Sequence, residues 1–70
     1  MQKRSLTING HRTSLALEPL FWDALTEMAD RRGLSLPALI ADIDSLEPHA
    51  NLASAIRCAV LSHYRDMEND

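Results

Sequence analysis

The chain has 70 residues, 46% of them hydrophobic, a formal net charge of -3 and a single cysteine, Cys58. A chain this short makes one small domain that buries only about 60% of its unfolded surface. An internal disulfide is excluded, and without a Cys-x-x-Cys pair a structural zinc, which takes about four ligands, has no evident site.

Eleven leucines against two glycines give more apolar surface than one small core hides, which predicts a homodimer sharing a core. A lone cysteine suits a reducing compartment. The basic start is followed by polar residues, not an apolar run, and no stretch approaches the ~20 apolar residues of a membrane span. The expectation is a cytoplasmic protein with no membrane contact and no cofactor. The charge is unevenly spread. Residues 1–17 carry Lys3, Arg4 and Arg12 and no acid, whereas residues 36–70 set Arg57 and Arg65 against Asp42, Asp44, Glu47, Asp66, Glu68 and Asp70. A basic end of this kind can bind phosphate while an acidic face points elsewhere.

In chain order, two strands are predicted over about 3–8 and 11–17. Asn9-Gly10 between them is the strongest short hairpin signal, because both turn positions need positive φ. A two-residue turn pairs Ile8 with His11 and, further out, Arg4 with Leu15 and Lys3 with Ala16. Alternation then places Lys3, Ser5, Thr7, Arg12, Ser14 and Ala16 on one face and Leu6, Ile8, Leu15 and Leu17 on the other. A helix over about 19–32 opens with Pro19, carries a Phe21, Leu25, Met28 stripe flanked by Trp22 and Ala29, and ends on Arg31, Arg32 and Gly33. A second, about 35–46, is capped by Ser35 and carries Leu36, Leu39, Ile40, Ile43 and Leu46 at helical period. Glu47-Pro48 breaks it. Asn51 caps a third, about 52–66, whose apolar residues spread over two sides. Ile56, Val60 and Tyr64 make one stripe, and Leu61 begins a second, as expected for a helix with two neighbours. Residues 66–70 are expected to fray.

The segment RTSLALEPLFWDALTEMADRRGLSLPALIADI resembles the ribbon-helix-helix family of DNA-binding proteins, the MetJ, Arc and plasmid copy-number repressor type. The resemblance rests on alternating Leu15 and Leu17, an acidic residue opening the helix, Leu25 with Met28-Ala29, and the Gly33-Leu34-Ser35 turn. It covers about residues 12–46. The HRTS run and the Phe21-Trp22 pair look like a short bacterial subfamily of regulators. The resemblance implies a mostly α fold with a short N-terminal β-ribbon, here with an extra first strand and a third helix, in one domain over 1–70. It further implies an intertwined homodimer in which each chain supplies one strand to a two-stranded ribbon that enters the major groove of double-stranded DNA.

Carried over position by position, the base-contacting residues are Arg12, Ser14 and Ala16. Arg12 can donate two hydrogen bonds to guanine, Ser14 can donate or accept, and Ala16 offers a methyl suited to thymine. Leu15 and Leu17 face the helices and join Phe21, Trp22, Leu25, Leu39, Ile40 and Ile43 in the dimer core. The N-terminus of the second helix, at Ser35 and Leu36, is a phosphate seat, short of one donor because Pro37 has no N–H. Lys3, Arg4, Arg31 and Arg32 are phosphate contacts by charge. Each reading has a plainer counterpart: the solvated side of a half-buried sheet, a simple N-cap at Ser35, a solvated helix end at Arg31 and Arg32.

Two classes of function follow. One is a sequence-specific transcriptional regulator, most simply a repressor. The other is an interaction module or antitoxin-like dimer that binds a protein partner through its acidic C-terminal half. An enzyme is not expected. Asp42 and Asp44 point different ways on their helix, Cys58 and His63 share no face, and His11, His49 and His63 show no ligand spacing, so these read as surface histidines and a buried thiol. A closed hairpin in both chains of the dimer would make a four-stranded sheet, too wide to enter deeply a groove of about 12 Å at strand spacings of ~4.8 Å, so either residues 1–10 form a mobile arm that tracks the DNA backbone or the hairpin serves another purpose.

Overall fold

In the computed structural model, which describes residues 1–46 and 51–68, Asn9 and Gly10 take positive φ of 53° and 79°, as a two-residue hairpin turn of type I′ requires. Strands β1 (Gln2–Ile8) and β2 (His11–Leu17) pair antiparallel in the register set by that turn, from Ile8 opposite His11 out to Gln2 opposite Leu17. β2 is therefore paired within its own chain. The first strand is no loose arm, because local turn chemistry closes the hairpin and a side-chain anchor from the first helix holds its far end.

Three helices follow: α1 (Pro19–Arg32), α2 (Leu36–Leu46) and α3 (Leu52–Glu68). Their ends have local causes. Proline opens α1, and Gly33 closes it in the left-handed conformation, φ 67°. The Gly33 N–H donates to the Asp30 carbonyl and the Leu34 N–H to that of Ala29, at 3.2 and 2.9 Å, the two bonds of a Schellman motif. Ser35 Oγ accepts from the Ala38 N–H at 3.2 Å, and Asn51 Oδ1 from the Ser54 N–H at 3.3 Å, so both predicted caps are made. α3 runs past its expected end at residue 66. The added residues Met67 and Glu68 are both exposed. The break expected at Glu47-Pro48 lies outside the described residues, as do His49 and Asp70.

β1 packs on α2, β2 on α3, and the three helices on one another. The core contains Ile8, Leu15, Leu17, Trp22, Leu25, Met28, Leu39, Ile40, Ile43, Ile56 and Val60, with no buried polar residue among the described residues. Of the side chains expected in a dimer core, Leu15, Leu17, Trp22, Leu25, Leu39, Ile40 and Ile43 are buried within this one chain, and Phe21 is half-buried. α3 closes the core through Ile56 and Val60, while Leu61 stays 60% exposed, as its separate stripe implies. Tyr64 is half-buried, and its hydroxyl donates to Glu27 Oε2 at 3.0 Å. Burial and then this carboxylate raise the phenol's pKa above its ordinary value.

Two expectations are corrected. Cys58 is exposed, not buried, because it stands two residues, about 200° around the helix, from the core residue Ile56. His63 is half-buried rather than on the surface. Its ring meets Tyr64 edge-on, with centroids 5.0 Å apart, and its Nε2 is buried without a partner among the described residues.

Candidate nucleic-acid interface

The hairpin has one wet face and one dry face. Ile8, Leu15 and Leu17 are buried and Leu6 packs beside them. The opposite face carries three cross-strand pairs, Lys3 with Ala16, Ser5 with Ser14 and Thr7 with Arg12. All six are exposed except Ala16, which is half-buried. A two-residue turn makes Ile8 and His11 a hydrogen-bonded pair, so the pairs on this face are of the non-hydrogen-bonded kind, with the closer side chains.

This face holds two cations and no acid. Among the described residues neither Lys3 nor Arg12 joins an ion pair, whereas Arg31, Arg32 and Arg57 do. Arg31 lies 3.3 Å from Glu27 and Arg32 lies 3.6 Å from Asp42. Both pairs are about half exposed, a setting in which ion pairs are weak and a phosphate can compete for the guanidinium.

Arg4 is placed differently from the other cations expected at phosphate. Opposite Leu15, it falls on the helix side of the sheet. Its guanidinium sits over the Trp22 ring at 4.6 Å in a cation–π contact, and Nη2 is 3.4 Å from Gln2 Oε1. Trp22 Nε1 donates to the Gln2 backbone carbonyl at 2.8 Å. Arg4 and Trp22 thus hold β1 to α1, and Arg4 stands off the exposed face.

The second group of residues expected at phosphate lies at the corner between α1 and α2. Arg31 and Arg32 end one helix, and Ser35 begins the other after the Gly33-Leu34 link. Ser35 is exposed and Leu36 half-buried. The Ser35 hydroxyl already caps the helix through Ala38, leaving backbone N–H groups and the helix dipole as the attraction for an anion.

Sequence reasoning placed Ser5 and Thr7 on the exposed face but gave them no role, although the alternation that singles out Arg12 and Ser14 reaches them equally. It also missed the tie from α1 to α3. Glu18 Oε1 accepts from Arg57 Nη2 at 2.9 Å and from Nε at 3.3 Å. The carboxyl's pKa is lowered by its own backbone hydrogen bond first and by Arg57 second. No local pattern marks a pair this far apart in the chain. No described helix is long and apolar enough to cross a membrane, and among the described residues no three His, Cys, Asp or Glu side chains gather as a metal site would need.

A family model described as a ribbon-helix-helix domain matches residues 1–64. No curated protein and no solved structure matches the chain. The matched segment is wider than the 12–46 read from the resemblance. It includes all of β1 and α3 as far as Tyr64, so the first strand and third helix belong to the matched pattern.

Proposed function

From the premise that the chain belongs to the ribbon-helix-helix domain family, whose members are generally DNA-binding, non-enzymatic transcription regulators, we propose that it is a sequence-specific regulator, acting as a repressor, that inserts its strand face into the major groove of double-stranded DNA. Arg12, Ser14 and Ala16 contact base edges. Lys3, Arg31, Arg32 and the α2 N-terminus at Ser35 and Leu36 contact phosphates. The observation that carries this reading is the pair of cations, Lys3 and Arg12, unpaired among the described residues on an exposed face without acids. The chain's net charge is negative, so attraction to DNA must come from such a local patch. Binding to random-sequence duplex at increasing salt tests the reading, followed by selection of a preferred site. The logarithm of affinity should fall linearly with the logarithm of salt concentration, by about 0.9 of a log unit per phosphate contact for each tenfold rise in salt. Binding that ignores salt, or no binding, would remove the proposal.

Ribbon-helix-helix domains generally dimerise, and we propose a homodimer here. Large apolar side chains left uncovered, Leu46 at 75% and Leu61 at 60% exposed, support a contact beyond the single chain. Sedimentation at micromolar concentration should return about twice the 7.8 kDa chain mass. A stable monomer would overturn the proposed homodimer.

A further inference from the structure

We propose that the apolar groove between α1 and α3 is the second half of the homodimer interface. Its occupant is a second copy of this chain, whose Leu61 enters the groove while its own groove takes Leu61 in return. This rests on the homodimer reading above and adds to it the surface that closes the dimer beside the strands.

The first support is the groove itself. Phe21 and Tyr64, both half-buried, lie along it with Val60, and the exposed Leu20 and Leu61 stand at its rim. The cation that borders it is already engaged. The Arg57 guanidinium reaches Glu18 at 2.9 Å and lies 5.8 Å from the centre of the Phe21 ring. Asp23 is the other charged residue there, and an acid repels phosphate. The groove suits an apolar side chain, not nucleic acid.

The second support is position. The sheet has the order β1-β2, so β2 keeps one edge unpaired, and a ribbon taking one strand from each of two chains joins at that edge. α2 packs on β1 and α3 on β2, which makes α3 the helix nearest the joint. Ala55, Ala59 and Ser62 of α3 border α2, whereas Arg57, Leu61 and Tyr64 border the groove on the other flank. α1 starts directly after β2, with Glu18 alone between them. The groove therefore continues the strand joint on the same side of the chain. A two-fold axis through that joint brings the same flank of each copy together, an isologous contact in which knob and groove belong to one patch.

The third support is area. A stable dimer buries roughly 800 Å² per partner, about a sixth of the 4711 Å² that this chain exposes. Two seven-residue strands meeting edge to edge cover backbone along about 24 Å and little apolar side chain. Leu20 and Leu61, with the uncovered parts of Phe21 and Tyr64, adjoin the joint and supply the apolar remainder. Leu46 is as exposed as Leu20, but it stands on the α2 flank beside Ala59 and Ser62, away from the joint.

Two measurements on the full chain test this. In the first, sedimentation equilibrium compares the wild type with Leu61→Glu, Leu20→Glu and Leu46→Glu, and circular dichroism checks that each stays folded. Leu61→Glu and Leu20→Glu should each weaken dimerisation by about tenfold or more, the worth of covering one leucine, while Leu46→Glu changes it by less than about threefold. In the second, a photoreactive benzophenone amino acid replaces Leu61. Irradiation should give a product of twice the chain mass, with the new bond mapped to the α1 or α3 segment of the partner subunit. A dimer as tight in Leu61→Glu as in the wild type, or a cross-link that maps outside α1 and α3, would overturn the groove as an interface while leaving the homodimer standing. A wild type that sediments as a monomer would overturn the homodimer reading itself, and this use of the groove with it.

Discussion

Trp22 donates its indole hydrogen to the backbone carbonyl of Gln2 at 2.8 Å, fastening the first residue of β1 to the first turn of α1. The ring is fully buried, so the bond satisfies a donor that has no water to turn to. Trp22→Phe keeps most of the apolar volume and removes the donor, leaving the carbonyl without that partner. Urea unfolding should show a loss of about 1–3 kcal/mol. Amide exchange should quicken along β1 more than along α2. Uniform exchange across both would mean that the turn alone holds the strand.

Glu18 and Arg57 link the start of α1 to α3, and the link is pH-sensitive in one direction. The folded carboxyl's pKa lies below its ordinary value of 4.5, through its own backbone hydrogen bond and then Arg57. The folded state therefore binds this proton less readily than the unfolded chain. Its contribution to stability is present above 4.5 and is lost as pH falls through the lower folded value. Both side chains are partly exposed, 45% and 34%, so the contribution is small and salt-sensitive. Urea midpoints measured from neutral pH down into the acid range should fall less steeply in Glu18→Gln than in the wild type. Identical slopes would show that the pair adds nothing in solution.

What could be read from the chain in advance divides by range. The hairpin register followed from Asn9-Gly10, and the helix ends from Pro19, Gly33, Ser35 and Asn51, because each is set by residues within a few positions. The core also followed from periodicity, including the exposed second stripe at Leu61. The ties that orient the elements were invisible: Trp22 to Gln2, Arg57 to Glu18 and Tyr64 to Glu27 join residues 20, 39 and 37 positions apart. Arg4 lies between these cases. Its pairing with Leu15 already placed it on the helix side, but its charge suggested phosphate, and only the position of the Trp22 ring reveals its contact.

α3 is part of the domain's core, so its removal should be felt by the fold as a whole. Ile56 is fully buried and packs in one cluster with Leu17, Trp22 and Leu39. Ile56→Ala should lower stability by about 2–5 kcal/mol, the range for an emptied core site, a large share of what a domain this small possesses. Leu61→Ala, on the exposed side of the same helix, should change monomer stability little. Equal and small effects at the two positions would mean that α3 is an appendage rather than a third wall of the core.

The two cations of the strand face should separate by role. Arg12 is near the turn, paired with Thr7, and its planar guanidinium can donate two parallel bonds to the guanine edge. Lys3 is at the far end, paired with Ala16, and its ammonium acts on a phosphate as a point charge. Arg12→Ala should therefore cost about 1–3 kcal/mol on a selected site and relax base choice at one position, with a much smaller loss on random DNA. Arg12→Lys should rescue little of it, because the paired donors are gone while the charge remains. Lys3→Ala should weaken selected and random sites alike and reduce the salt slope by about one contact. Asp42→Asn frees Arg32 from its 3.6 Å partner and should raise affinity for all sequences slightly, if the α1–α2 corner meets the backbone. The decisive comparison is the ratio of selected to random affinity. A ratio that falls for Lys3→Ala and holds for Arg12→Ala would reverse the two assignments, placing the base reading at the open end of the hairpin and the phosphate contact at its turn.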